Sequence, residues 1–66
     1  MDKEQAEMVA KGIGGDTFQS GGGIYLVTKS VHRGKFLVIS SEMVCLYGSE
    51  KEFDEGENPE NEMFIY

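Results

Sequence analysis

The rhythm of apolar and polar positions changes along this chain, and each change marks an element. From Asp2 to Lys11 it is helical: Ala6, Val9, Ala10 and Ile13 recur at i, i+3, i+4 and i+7, which aligns them in one stripe. Asp2 stands where an N-cap belongs, and Gln5 follows three residues later as its reciprocal partner. Glu4 in the first turn and Lys11 in the last suit the helix dipole. Gly12 fits the left-handed position that ends a helix, so the pattern predicts a helix over 2–11 and a Gly-rich loop over 12–23.

From Gly23 to Tyr47 the rhythm shortens to three runs dense in β-branched, aromatic and aliphatic residues, which predict strands over 24–31, 35–40 and 43–47. His32-Arg33-Gly34 suits a three-residue hairpin loop with Gly34 left-handed at its third position, where a Cβ would clash. Ser41-Glu42 lacks glycine and proline, so a short helix capped by Ser41 competes with a strand over 43–47; the β-branched and aromatic content favours the strand.

Alternation within these strands sets Ile24 and Leu26 against Tyr25, Val27 and Val31, Phe36 and Val38 against Leu37 and Ile39, and Val44 and Leu46 against Cys45 and Tyr47. Both faces are apolar, so the sheet needs cover on both sides. A helix ~16 Å long roofs one face of a three-stranded sheet and leaves roughly 300 Å² of the other open, enough to mark an interface. Tyr25, Val27 and Tyr47 are therefore candidate protein-binding residues, and a homodimer closed through the open sheet face is expected. The competing architecture is a small curled β-barrel, closed by strands from Phe18 and the C-terminal residues.

The glycines at 14, 15, 21, 22 and 23 invite comparison with a phosphate cradle. No Lys-Ser or Lys-Thr follows them, and no helix begins after them, so close approach or a bulge before the first strand is the better account. Thr17-Phe18-Gln19 has the makings of a very short extra strand with Phe18 inward.

Length and composition sharpen this picture. A 66-residue chain forms one small domain that buries only about 60% of its extended surface. Cys45 is the single cysteine, which excludes an intrachain disulfide and points to a reducing, cytoplasmic setting. No apolar run approaches the length of a membrane span, and Met1-Asp2-Lys3-Glu4 has none of the features of a signal peptide.

Charge is concentrated at one end. The formal net charge is −6. Between Gly48 and Glu62 the acids Glu50, Glu52, Asp54, Glu55, Glu57, Glu60 and Glu62 face only Lys51, so this acidic loop (48–62) carries all of it. Ser49 and Glu52 form a capping box for one helical turn, Phe53 can pin that turn to the sheet, and Gly56 and Pro59 break regular structure. Met63-Phe64-Ile65-Tyr66 is apolar enough to add a C-terminal strand over 63–66. Setting Gly56 and Glu62 at positions six and twelve of a calcium loop places Lys51 and Phe53 where oxygen ligands belong, so that motif fails and no metal or cofactor is expected. Three readings of the acids remain: foremost a solvated surface, then Glu50, Glu52, Asp54, Glu55 and Glu57 imitating phosphates in the groove of a basic partner, and last a loose, unspecific carboxylate site for calcium or magnesium.

The opposite pole, Lys29, His32, Arg33 and Lys35, is too small for direct nucleic-acid binding. His32 reads as a solvated turn residue and Cys45 as a mid-strand thiol, and neither has a neighbour in sequence that would make it catalytic. Tyr25, Tyr47 and Tyr66 suit half-buried sheet positions. The sequence thus predicts an α+β domain with an N-terminal helix on a three- to four-stranded antiparallel meander, an acidic loop and a final strand. Its expected role is that of a non-enzymatic binding or regulatory module, self-associating through the sheet. The alternative is an acidic mimic that inhibits a basic or nucleic-acid-binding protein.

Overall fold

The apolar runs become neighbouring strands of one sheet. In the computed structural model, which describes residues 1–65, helix α1 (Lys3–Ile13) precedes β1 (Asp16–Gly21), β2 (Ile24–Ser30), β3 (Phe36–Ile39) and β4 (Met43–Tyr47). A short helix α2 (Glu50–Asp54) then leads to β5 (Asn61–Phe64). The strands pair antiparallel in sequence order, β1-β2-β3-β4-β5. The α+β class is as expected, the five strands being the predicted three-stranded meander, the extra strand suggested around Phe18 and the C-terminal strand. β1 and β5 lie at opposite edges of an open sheet, so the barrel alternative does not form.

α1 begins as predicted, the Asp2 carboxylate accepting the Gln5 N–H at 2.7 Å. It runs past 11 to Ile13, and Gly14 (φ 71°), not Gly12, supplies the left-handed cap. The reason lies in the stripe: Ile13 still packs against the core, while Gly12 occupies open space and costs only about 1 kcal/mol of helix propensity. Lys29 Nζ donates to the Ile13 carbonyl at 2.5 Å, placing a cation at the helix C-terminus. Met1 and Tyr25 exchange two backbone hydrogen bonds, of 3.1 and 2.8 Å, tying the start of the chain to β2.

The expected Gly-rich loop over 12–23 is corrected by β1, which extends the three-residue strand suggested around Phe18. Thr17 opposes Val27 and Phe18 opposes Leu26. All six residues of β1 are exposed, as suits a polar edge strand whose stability comes from its ladder with β2 and not from its own apolar pattern. The close backbone approach sits at Gly15, where a Cβ would come within 2.6 Å of the Thr28 carbonyl oxygen. Gly21, Gly22 and Gly23 instead shape the β1–β2 turn, with open space around them.

The other strands fall within a residue or two of their predicted bounds, and 43–47 is a strand, not a helix. In the β2–β3 turn both Arg33 (φ 66°) and Gly34 (φ 74°) are left-handed. The β3–β4 turn replaces glycine and proline chemistry with Ser40, whose Oγ accepts from the N–H groups of Met43 (3.0 Å) and Glu42 (3.3 Å). The acidic loop over 48–62 is also shorter than predicted, because α2 occupies part of it and β5 starts at Asn61. Tyr66, the last residue of the expected 63–66 strand, lies outside the described residues.

Register assigns the faces. Val27 opposes Ile39, Leu37 opposes Leu46, Ile39 opposes Val44, and Val44 opposes Met63, so these residues share the face on which α1 packs. Ala6, Ala10 and Val27 seal a small core there, flanked by Met1, Val9, Ile13, Tyr25 and Ile39. Phe18, Phe36, Val38, Cys45 and Tyr47 share the opposite face. Above it the Phe53 ring of α2 meets Phe18, Phe36 and Tyr47 at centroid distances of 5.4, 5.5 and 5.1 Å. Among the described residues no helix is long and apolar enough to cross a membrane.

Candidate functional site

One helix cannot span five strands ~4.8 Å apart. α1 rests mainly on β1 and β2, with Ile39 of β3 at the margin of its core, and leaves the rest of that face of β3, β4 and β5 uncovered. Leu37, Val44, Leu46 and Met63, with Asn61 and Glu62 beside them, line an open groove of about 460 Å³ there. Met63, on the edge strand, is 64% exposed. The open surface is thus half of the helix-bearing face, where a whole opposite face was expected.

This geometry redistributes the three apolar candidates. Val27 is completely enclosed beneath α1, so it contributes to the core and offers no contact surface. Tyr25 packs beside it at the core margin. Tyr47 points to the opposite face, where its ring meets Phe53 edge-on. The three do not share a surface. Alternation along each strand does put Leu37 with Ile39, and Val44 with Leu46. What sequence lacks is the register between strands and the lateral seat of the helix, and these decide which apolar pairs stay open.

The acids also divide. Glu50, Asp54, Glu55 and Glu57 are exposed along α2 and the turn after it. Glu52 is half-buried: its N–H donates to Ser49 Oγ at 3.2 Å, and its carboxylate lies beside Gly48, as does that of Glu60. Glu60 also forms an ion pair with Lys35 across the sheet. With Lys29 held at the end of α1 and Lys35 paired, His32 and Arg33 are the exposed basic residues at the β2–β3 tip.

Cys45 lies mid-strand, opposite Val38 on one side and Glu62 on the other. Burial, and after it the Glu62 carboxylate, raises its thiol above the usual value. The Tyr47 phenol is raised in turn by burial, then by Cys45 and Glu62. A raised thiol is a poorer nucleophile at neutral pH, and His32 sits on a separate hairpin tip. Among the described residues no three His, Cys, Asp or Glu side chains gather as a metal site. Compared with protein-family models, curated proteins and solved structures, the chain matches none.

Proposed function

We propose that this protein is a non-enzymatic binding module whose working surface is the groove over β3, β4 and β5. The observation that carries the reading is the uncovered apolar floor of Leu37, Val44, Leu46 and Met63, on the same face of the sheet whose β1–β2 half is roofed by α1. Three strands about four residues long present roughly 200 Å² there, and covering it is worth about 5 kcal/mol of apolar burial. That gain falls to whatever segment docks.

A homodimer is one such arrangement, but a standard interface buries about 800 Å² on each partner. Self-association would have to recruit further surface, such as the exposed Phe64 and Ile65 at the end of the β5 edge. The second reading, imitation of a polyanion, is supported by the exposed row Glu50, Asp54, Glu55 and Glu57.

Two variants separate these readings in capture of partners by the tagged protein. Met63→Ser with Leu46→Ser removes apolar floor. Replacing Glu50, Asp54, Glu55 and Glu57 with lysine reverses the acidic row. The groove reading expects the first change to abolish capture and the second to spare it, with circular dichroism unchanged in both. The opposite pattern would overturn it in favour of the acidic row.

A further inference from the structure

We infer that the groove is filled by helix α1 of a second copy of this chain, so that two sheets close on a shared layer of two helices. This rests on the groove being the working surface and names its occupant. Five strands ~4.8 Å apart present a face about 24 Å wide, which seats two helices each ~10 Å across, and the chain lays one helix on that face. α1 runs along β2, with Met1 bonded to Tyr25 near one end of the strand and the Ile13 carbonyl to Lys29 near the other. A two-fold axis parallel to the strands, set beside α1, therefore lays the second copy's α1 along β4, over Leu37, Val44, Leu46 and Met63.

The helix carries a face for this seat. Beside its core stripe runs a second one at the same spacing, Gln5, Met8, Val9 and Gly12, with no charge in it. Tyr25 and Val31 turn their N–H groups to the β3 side of β2, toward Met1 and Lys35. With that sense, a right-handed helix along β2 directs the second stripe toward the groove, and Lys3, Glu4, Glu7 and Lys11 toward β1 and solvent. Met8, the middle residue of α1, is 70% exposed. A Cβ at Gly12 would meet nothing within 4 Å. An exposed methionine and an interior glycine add nothing to the lone helix; between copies, Met8 enters the facing groove and Gly12 lets the other backbone approach closely.

Area and charge agree with this arrangement. The groove offers about 200 Å² per copy, and the flank and back of α1, ~16 Å long and ~15 Å around, add about 240 Å². Symmetry repeats both, for roughly 900 Å² in total, below the ~1,600 Å² of a standard interface, so the dimer is reversible and dissociates at roughly 0.01–1 mM. Register sets Glu62 with Cys45 on the face away from the groove, where Phe53 also holds α2, so the acids of both copies end on the outside of the sandwich. Across two sheets and a helix layer they lie about 20 Å or more apart, beyond the ~8 Å screening length at physiological salt.

The test is sedimentation equilibrium of the full chain from about 0.02 to 2 mM, with isotope-filtered nuclear Overhauser spectra on an equal mixture of labelled and unlabelled protein. A concentration-dependent dimer is expected, with contacts from the Met8 methyl of one copy to Leu46 and Met63 of the other. Met8→Glu and Met63→Ser should each weaken it about tenfold or more, with circular dichroism unchanged because both side chains are mostly exposed. Gly12→Leu should raise Tm in dilute solution through helix propensity yet weaken the dimer severalfold, a split that a glycine serving only its own helix would not produce.

A dimer that tolerates Met8→Glu but is lost with Met63→Ser would overturn α1 as the occupant and leave the groove standing. A dimer unmoved by either change is closed elsewhere and overturns the inference. So does a chain still monomeric at about 2 mM; if its capture of partners is also unchanged by Met63→Ser, the groove reading falls with it.

Discussion

Arg33 is the one non-glycine residue with positive φ among those described. A left-handed conformation costs a residue with a Cβ roughly 1–2 kcal/mol, and asparagine bears it best because its short side chain bonds locally. With Gly34 left-handed behind it, the tip has the geometry that Asn-Gly satisfies. Arg33→Asn is therefore expected to stabilise the protein by about 0.5–1 kcal/mol, a rise in Tm of about 2–8 °C for a domain of this size, measured by calorimetry. A fall in Tm would mean that the arginine side chain makes a compensating contact. Gly34 was legible as left-handed because glycine advertises that freedom, whereas arginine carries no such signature; the twist of the flanking strands imposes it. Gly15 was illegible for a related reason. What crowds it is the Thr28 carbonyl, thirteen residues away in sequence and adjacent only after β1 pairs with β2.

Elements with their own local signals were readable, and those made by their neighbours were not. α1 announced itself through stripe and cap, and α2 through Ser49, Glu52 and Phe53, although five residues are far too few for a helix to persist alone. What holds α2 is Phe53, wedged among Phe18, Phe36 and Tyr47 from three strands. Phe53→Ala removes a half-buried ring and its aromatic contacts, so a loss of about 2–3 kcal/mol is expected. Against a total of roughly 3–10 kcal/mol for 66 residues, that should lower Tm by about 10–20 °C and erase much of the near-ultraviolet tyrosine dichroism. A Tm within a few degrees of the parent would show that α2 does not roof the sheet in solution. β1 had no comparable signal. Its Asp-Thr-Phe-Gln-Ser-Gly sequence lacks an apolar alternation, because an edge strand exposed along its length needs none.

For the molecule as a whole, the two apolar faces and the acidic segment were legible, while the groove was not, because it depends on where a single helix comes to rest. The α2 side of the sheet makes a further commitment, readable in pH. Cys45 and Tyr47 are both raised above their ordinary values, by burial first and then, directly or through each other, by the charge of Glu62. The folded protein thus holds these protons more tightly than the unfolded chain does. The associated stability is fully present below the unfolded thiol value of about 8.5 and is lost as pH rises through the folded values. Melting temperature should therefore hold steady through neutral pH and decline from about pH 8.5–9 upward. Cys45→Ala removes the first group and should move the onset of the decline toward the tyrosine range. Glu62→Gln removes a shared cause from both groups and should make the decline shallower. A melting curve flat to pH 11, or an onset unmoved by Cys45→Ala, would show that Cys45 is as free to ionise in the folded sheet as in the open chain.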